Sequence, residues 1–190
     1  MTDSPTLYDD ALSLLRGWPA PNKEQETVRR RYVDHLEVDP TGLQRDCFPA
    51  HITASTLIVS ADHQQVLLTL HAKAGAWFQT GGHCEHQDTT LAGAARREAV
   101  EESGVLLLTL DPRPVQLNAH DVAFCDSRGT VQHLDVRFLA VAPADATPAV
   151  SVESLDVKWW PLDALPTDEP GIVELVRLAQ DRLHAPTQPS

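Results

Sequence analysis

The chain is short of cysteine, of positive charge and of long apolar runs. Its three cysteines (Cys47, Cys84, Cys125) are odd in number and include no CxxC pair, so neither a disulfide framework nor a zinc site of recognisable spacing is indicated. Free thiols in a reducing compartment are expected. Only 15 Lys and Arg stand against 27 Asp and Glu, a net charge of -12. Capture of a nucleic-acid polymer needs a basic patch to displace counterions, so that class of partner is excluded. A small anionic ligand would instead arrive with a divalent cation. No run of about 18 apolar residues occurs and the N-terminal stretch lacks a basic n-region, so neither a membrane span nor a signal peptide is expected. A soluble, cytoplasmic protein follows. G-x-S-x-G is absent too, which removes the nucleophile elbow of Ser-His-Asp chemistry.

What is present reads as one mixed α/β body behind a helical leader. In residues 1–48, TLYDDALSLLRGW and NKEQETVRRRYVDHLEV carry helical periodicity, with Val28, Tyr32, His35 and Leu36 on one face. From His51 the rhythm becomes that of strands. ITASTLIVS, a turn at Ala61-Asp62-His63 and QVLLTLHA form a hairpin, and WFQT reads as a strand ending at Gly81-Gly82. VLLLTL, PVQLNAHDVAF, VQHLDVRFLAVA and DVKWW follow as strands, then a helix, GIVELVRLAQDRL. Residues 142–150 read as a loop. Residues 49–184 are therefore expected to form a layered α/β/α sandwich with a mixed sheet, preceded by the N-terminal helical extension and followed by a frayed tail, 185–190.

The informative stretch is GGHCEHQDTTLAGAARREAVEESGV, residues 81–105. Asp88 or Thr90 can cap a helix running to about Ser103, and Gly104 suits the left-handed residue that ends it. At about 100° per residue, Leu91, Ala92, Ala95 and Ala99 form an apolar arc small enough to approach a sheet closely. Glu98, Glu101 and Glu102 share the adjoining face. Each like-charge pair costs about 0.2–0.5 kcal/mol in an isolated helix, and negative charge in the last turn opposes the macrodipole by about 0.3–1 kcal/mol. Such a face calls for a compensating cation. Oxygen ligands without Cys or His favour Mg²⁺, with Mn²⁺ also accepted; the bland alternative is a solvated helix end.

Residues 81–105 resemble the box of the Nudix family, G-x5-E-x7-R-E-U-x-E-E-x-G-U. Arg97, Glu98, Ala99, Glu101, Glu102, Gly104 and Val105 match the back half position by position. The front half departs: five residues after Gly82 stands Asp88 rather than Glu, and eight residues rather than seven then precede Arg97. A shorter acid with one added residue could still pair with Arg97 across the loop-helix junction. The flanking strands and the WW-P-LDALP ending extend the likeness over about 49–184. The resemblance implies an α/β/α sandwich and hydrolysis of a nucleoside diphosphate linked to another moiety, or of a similar phosphoanhydride. It also implies Mg²⁺ held by Glu98, Glu101 and Glu102, with the Gly81 carbonyl a further candidate, and Gly82, Asp88, Arg97 and Gly104 supporting the box. Glu98, Glu101 and Glu102 would divide ligation and proton removal among them. Which is the general base stays open, as does the role of Glu153, the position where some relatives carry an extra acid.

In VQHLDVRFLAV, Leu134, Val136, Phe138 and Ala140 alternate onto one face and leave His133, Asp135 and Arg137 on the other. That trio either binds substrate or forms an internal ion pair. His83, Cys84 and His86 invite a soft-metal reading, but no second ligand pair has matching spacing, and box-flanking loop residues are the better description. Trp77, Trp159 and Trp160 either stack a base or pack the core and rim. Against the hydrolase stand two alternatives: a diphosphate isomerase on the same fold, which Cys84 keeps open, and a non-catalytic ligand-sensing domain. Whether the chain forms a homodimer is open.

Overall fold

A computed structural model describes residues 6–152 and 154–185. Glu153 and the tail segment 186–190, singled out above, lie outside the described residues. Two helices come first, α1 (Leu7–Gly17) and α2 (Lys23–Val38). Strands β1 (Ala50–Val59), β2 (Gln65–His71), β3 (Ala76–Phe78) and β4 (Thr80–His83) lead to helix α3 (Leu91–Ser103). Then come β5 (Thr109–Asp126), β6 (Gly129–Val141), β7 (Ser154–Pro161) and α4 (Pro170–His184). The seven strands form one mixed sheet with the path β3-β2-β1-β6-β5, with β4 also paired to β1 and β7 to β2.

β1 is the spine of this sheet. It runs antiparallel to β2 and β4, and parallel to β6 in unbroken register from Ala50↔Gln132 to Val59↔Val141. Side chains alternate across a strand, so its two faces enter different cores. Ile52 and Ala54 join Leu134, Val136 and Phe138 of β6 and Leu91, Ala94 and Ala95 of α3. Leu57 and Val59 join Leu139 and, from α4, Leu175, Val176, Leu178 and Ala179. The expected α/β/α layering is therefore present, with α3 on one face and α4 on the other.

The N-terminal helices are continuous with the α3-side core. Thr6 closes α1 with a capping box to Asp9, and Asn22 caps α2 through the Gln25 N–H. Ala11, Leu15, Trp18, Tyr32, Leu36 and Leu43 are buried in the same cluster as the sheet residues and Leu91. Asp10 of α1 also accepts the backbone N–H of Leu91 at 2.9 Å, satisfying one of the orphan donors at the start of α3.

Two expected strands are drawn differently. VLLLTL is not a separate strand: residues 104–108 are irregular, Leu106 and Leu107 are exposed, and β5 begins only at Thr109. From there it runs through PVQLNAHDVAF as one element, with a register shift between Asp111 and Gln116. Pro112 and Pro114 fall within that shift and lack the N–H a regular ladder needs. Gly81 and Gly82 lie inside β4 rather than beyond a strand end. Gly81 pairs with Ser55, and a Cβ there would stand 2.2 Å from the Ser55 Cβ, so only glycine allows the approach.

Leu36 is fully buried between the extension and the sheet. Leu36→Ala is expected to destabilise the protein by about 2–5 kcal/mol. Trp fluorescence and far-ultraviolet circular dichroism should report one shared unfolding transition. Two separated transitions would instead mark residues 1–48 as an independent unit.

Candidate active site

Helix α3 is held rigidly where its acids must stand. Thr90 is the N-cap, accepting from the Gly93 N–H at 2.9 Å, and Gly104 ends the helix at φ 71°. Ala94, Ala95 and Ala99 are buried, and the Thr56 hydroxyl donates to the Ala95 carbonyl at 3.0 Å. This close packing of small residues on β1 turns the acidic face toward β4. Glu102 is 7% exposed and accepts the Gly81 N–H at 3.1 Å. The Glu98 carboxylate lies over Gly82, where a Cβ would come within 2.7 Å of it. Glu101, one turn along from Arg97, is exposed.

Arg97 ties these parts together. Its guanidinium donates through Nε and Nη2 to the two oxygens of Asp88 (3.2 and 2.9 Å), and through Nη2 to the His83 carbonyl (2.9 Å). Nη1 reaches Glu98 at 2.9 Å and Glu101 at 3.1 Å. Burial opposes its charge, but hydrogen bonds and charge from Asp88 and Glu98 outweigh that, and its pKa is raised. The pairing of Asp88 with Arg97 thus survives the irregular front half of the box. Asp88 does not cap α3; it accepts the Glu85 N–H at 2.8 Å and pins the loop.

The polar strand face points away from α3. Thr53, Ser55, Gln116 and Asn118 share it with Asp135 and Arg137. Asp135 and Arg137, each 3% exposed, form an ion pair at 2.9 Å. Asp135 also accepts from Ser55 (2.7 Å), Thr53 (3.1 Å) and Gln79 (3.2 Å). Arg137 donates to Gln116, Asn118 and the Gly171 carbonyl that opens α4. Burial pushes against the Asp135 carboxylate, yet Arg137, His120 and the Ser55 hydroxyl hold its pKa below the ordinary range. The internal ion pair, one of the two readings of this face, is present and buried. His133, at the end of the stripe, is partly buried.

His133 has company that spacing in the sequence did not reveal. His51 stands opposite it on β1, and His83 and Cys125 arrive from β4 and β5, their donor atoms all within 4.8 Å of one another. Desolvation foremost, then the neighbouring imidazoles, lowers the pKa of His83 to about 3 and of His133 to about 4. His51 is lowered for the same leading reason. His83 is therefore a strand residue facing three partners, and His86 is an exposed loop residue apart from them. Cys84 turns into the α3-side core instead, where burial pushes its thiol up to about 12. An isomerase would need Cys84 to face a substrate, which this burial does not provide. Trp77 and Trp160 meet edge to face at 5.2 Å against the α4-side core, and Trp159 packs on the opposite one, so all three are packing residues.

The NUDIX domain family model matches residues 49–179. The chain belongs to the Nudix family. Three solved structures show the same fold. The dihydroneopterin triphosphate pyrophosphohydrolase of E. coli superposes at TM-score 0.57 with 19% identity over 66% of this chain and 92% of its own. An Ap4A hydrolase of C. elegans gives 0.55 and 20% over 70% and 96%. A NUDIX family hydrolase from Clostridium perfringens gives 0.54 and 22% over 70% and 97%. No curated protein sequence matches significantly. The matched span begins where the helical extension ends.

Asp135→Asn keeps the side-chain shape but strands Arg137 without its countercharge. Breaking a buried pair costs about 3–5 kcal/mol, and for a chain of this size that lowers Tm by about 6–20 °C. An unchanged melting temperature would contradict the structural role of the pair.

Proposed function

We propose that this Nudix pyrophosphohydrolase cleaves a phosphoanhydride in a small substrate, using Mg²⁺ held by Glu98, Glu101 and Glu102, with the Gly81 carbonyl as a further ligand and Mn²⁺ as an alternative ion. The observation that carries the reading is the convergence of Glu98 and Glu102 on the Gly81-Gly82 backbone. There a side chain at position 82 would fill the space beside the Glu98 carboxylate. The donor set fits a hard cation: carboxylate and carbonyl oxygens, no sulfur or imidazole. Arg97 is shared among the carboxylates of Glu85, Asp88, Glu98 and Glu101. A divalent ion would add positive charge at this acidic end. When bound, such an ion neutralises pyrophosphate oxygens and lowers the pKa of a coordinated water.

The chain's own residues do the positioning. Glu98 and Glu102, fixed by helix packing and by Gly81, stay aimed at the strand without reorganisation. Arg97 and Asp88 hold the loop 84–90 against the helix. One of the three acids removes the proton of the attacking water; Glu101, exposed and paired only at its Arg97 edge, has the freedom to do so. Two of the solved relatives bear names of anhydride hydrolases, one for a triphosphate and one for Ap4A, which supports a phosphoanhydride as the substrate class. Among the described residues no helix is long and apolar enough to cross a membrane.

The test is a panel of nucleoside di- and triphosphates, nucleotide sugars, dinucleoside polyphosphates and CoA compounds with Mg²⁺ or Mn²⁺. One class should release phosphate-containing products. Glu102→Gln, which can still accept the Gly81 N–H, is expected to lower turnover about 100-fold or more. It should also abolish the rise in Tm that Mg²⁺ gives the parent by linkage. A Glu102→Gln protein that keeps both its turnover and its Mg²⁺-dependent gain would overturn the assignment.

A further inference from the structure

At the open end of the polar sheet face, away from α3, four side chains from four different strands meet: His51 of β1, His83 of β4, Cys125 of β5 and His133 of β6. We propose that these residues form a second metal site, a closed His₃Cys centre for Zn²⁺, distinct in ligand chemistry from the carboxylate site.

The distances suit the ion. Zinc binds imidazole nitrogen at about 2.0–2.1 Å and thiolate at about 2.3 Å, so the corners of its tetrahedron stand about 3.3–3.6 Å apart. The Cys125 sulfur lies 3.2 Å from His133 Nε2, 3.5 Å from His83 Nε2 and 4.0 Å from His51 Nε2. Three imidazoles converge at ring-centroid separations of 4.9, 4.9 and 5.1 Å, two pairs tilted and one edge-on. Among the described residues the group of donors contains no carboxylate, and nitrogen and sulfur donors around one point are what zinc selects over Mg²⁺.

The surroundings prepare the ligands. The His51 Nδ1 lies 3.0 Å from the Cys47 carbonyl. A carbonyl only accepts, so Nδ1 carries the proton and Nε2 turns a lone pair toward the cluster, the arrangement that orients metal-bound imidazoles generally. His120 packs edge-on against His133 at 5.5 Å and is itself held by Asn118, which fixes the His133 ring from outside. His51 is fully buried and the other three are partly so. Four protein ligands leave no open position, the mark of a structural rather than a catalytic zinc. On binding, the Cys125 sulfur gives up its proton to solvent and bonds the metal, while the imidazoles enter neutral.

Such an ion would clamp β1, β4, β5 and β6 at one end of the sheet. The same residue, His83, presents its carbonyl to Arg97, so the clamp also steadies the strand that carries Gly81 and Gly82.

The experiment uses the full chain, stripped with a chelator and titrated first with Co²⁺ and then with Zn²⁺. The expected result is one equivalent of Co²⁺ bound at this site, with the visible absorption of a tetrahedral ion and a near-ultraviolet thiolate-to-cobalt charge-transfer band. Zn²⁺ should bleach both and raise Tm. Cys125→Ser should lose the charge-transfer band and bind Zn²⁺ at least tenfold more weakly. Glu102→Gln should bind Co²⁺ and Zn²⁺ at this site like the parent, which separates this outcome from that of the carboxylate site. A folded parent protein that shows only a weak octahedral Co²⁺ spectrum, or a charge-transfer band that persists in Cys125→Ser, would overturn the proposal. Because the parent spectrum alone decides the first point, a variant that fails to fold does not shelter it.

Discussion

The guanidinium of Arg97 is the contact on which the acidic end of α3 depends. It bonds Asp88 with two nitrogens, holds Glu98 and Glu101 on a third, and fastens the His83 carbonyl. Without it, three glutamates in the last turns of a helix would suffer mutual repulsion and an adverse dipole, each term a few tenths of a kcal/mol or more. With it, the repulsion is partly relieved and also given direction: Glu98 is drawn toward β4 rather than splayed into water. A lysine could not substitute, because bidentate contact with Asp88 and a simultaneous reach to Glu98 need a planar fork of donors.

The second constraint is register. β1 and β6 run parallel with His51 opposite His133, Thr53 opposite Asp135, Ser55 opposite Arg137 and Leu57 opposite Leu139. A single sheet face therefore passes from imidazoles through a buried ion pair to an apolar core under α4. The ion pair is tolerable there because its hydrogen-bonding capacity is spent on Thr53, Ser55, Gln79, Gln116, Asn118 and the Gly171 carbonyl. The opposite face, at Leu134, Val136 and Phe138, stays apolar and seats the small-residue side of α3.

Much of this was legible in the sequence because it rests on local periodicity. The helix to Ser103 with a cap at Asp88 or Thr90 and its Gly104 stop, the two faces of β6, and the three acids on one helical face all follow from side-chain geometry within one element. The pairing of Asp88 with Arg97 needed only the thought that an added residue can bulge out of a loop. The gathering of His51, His83, Cys125 and His133 was not legible. These residues are separated by 32, 42 and 8 positions and meet only because neighbouring strands are in register, which no spacing rule within the chain encodes. The glycines inside β4 and the proline-interrupted start of β5 were misplaced for a related reason: what decides them is a partner strand, Ser55 in one case and β6 in the other.

The central claim, that the carboxylates at the end of α3 hold a divalent cation against β4, is tested most directly by paramagnetic Mn²⁺ in an amide-resolved NMR spectrum of the protein. Titrated below stoichiometry, Mn²⁺ should first broaden the amides of Gly81 and Gly82 and those of residues 98–102, since relaxation falls steeply with distance from the ion. Broadening that begins elsewhere, or that is spread over the acidic surface without preference for these residues, would contradict the account.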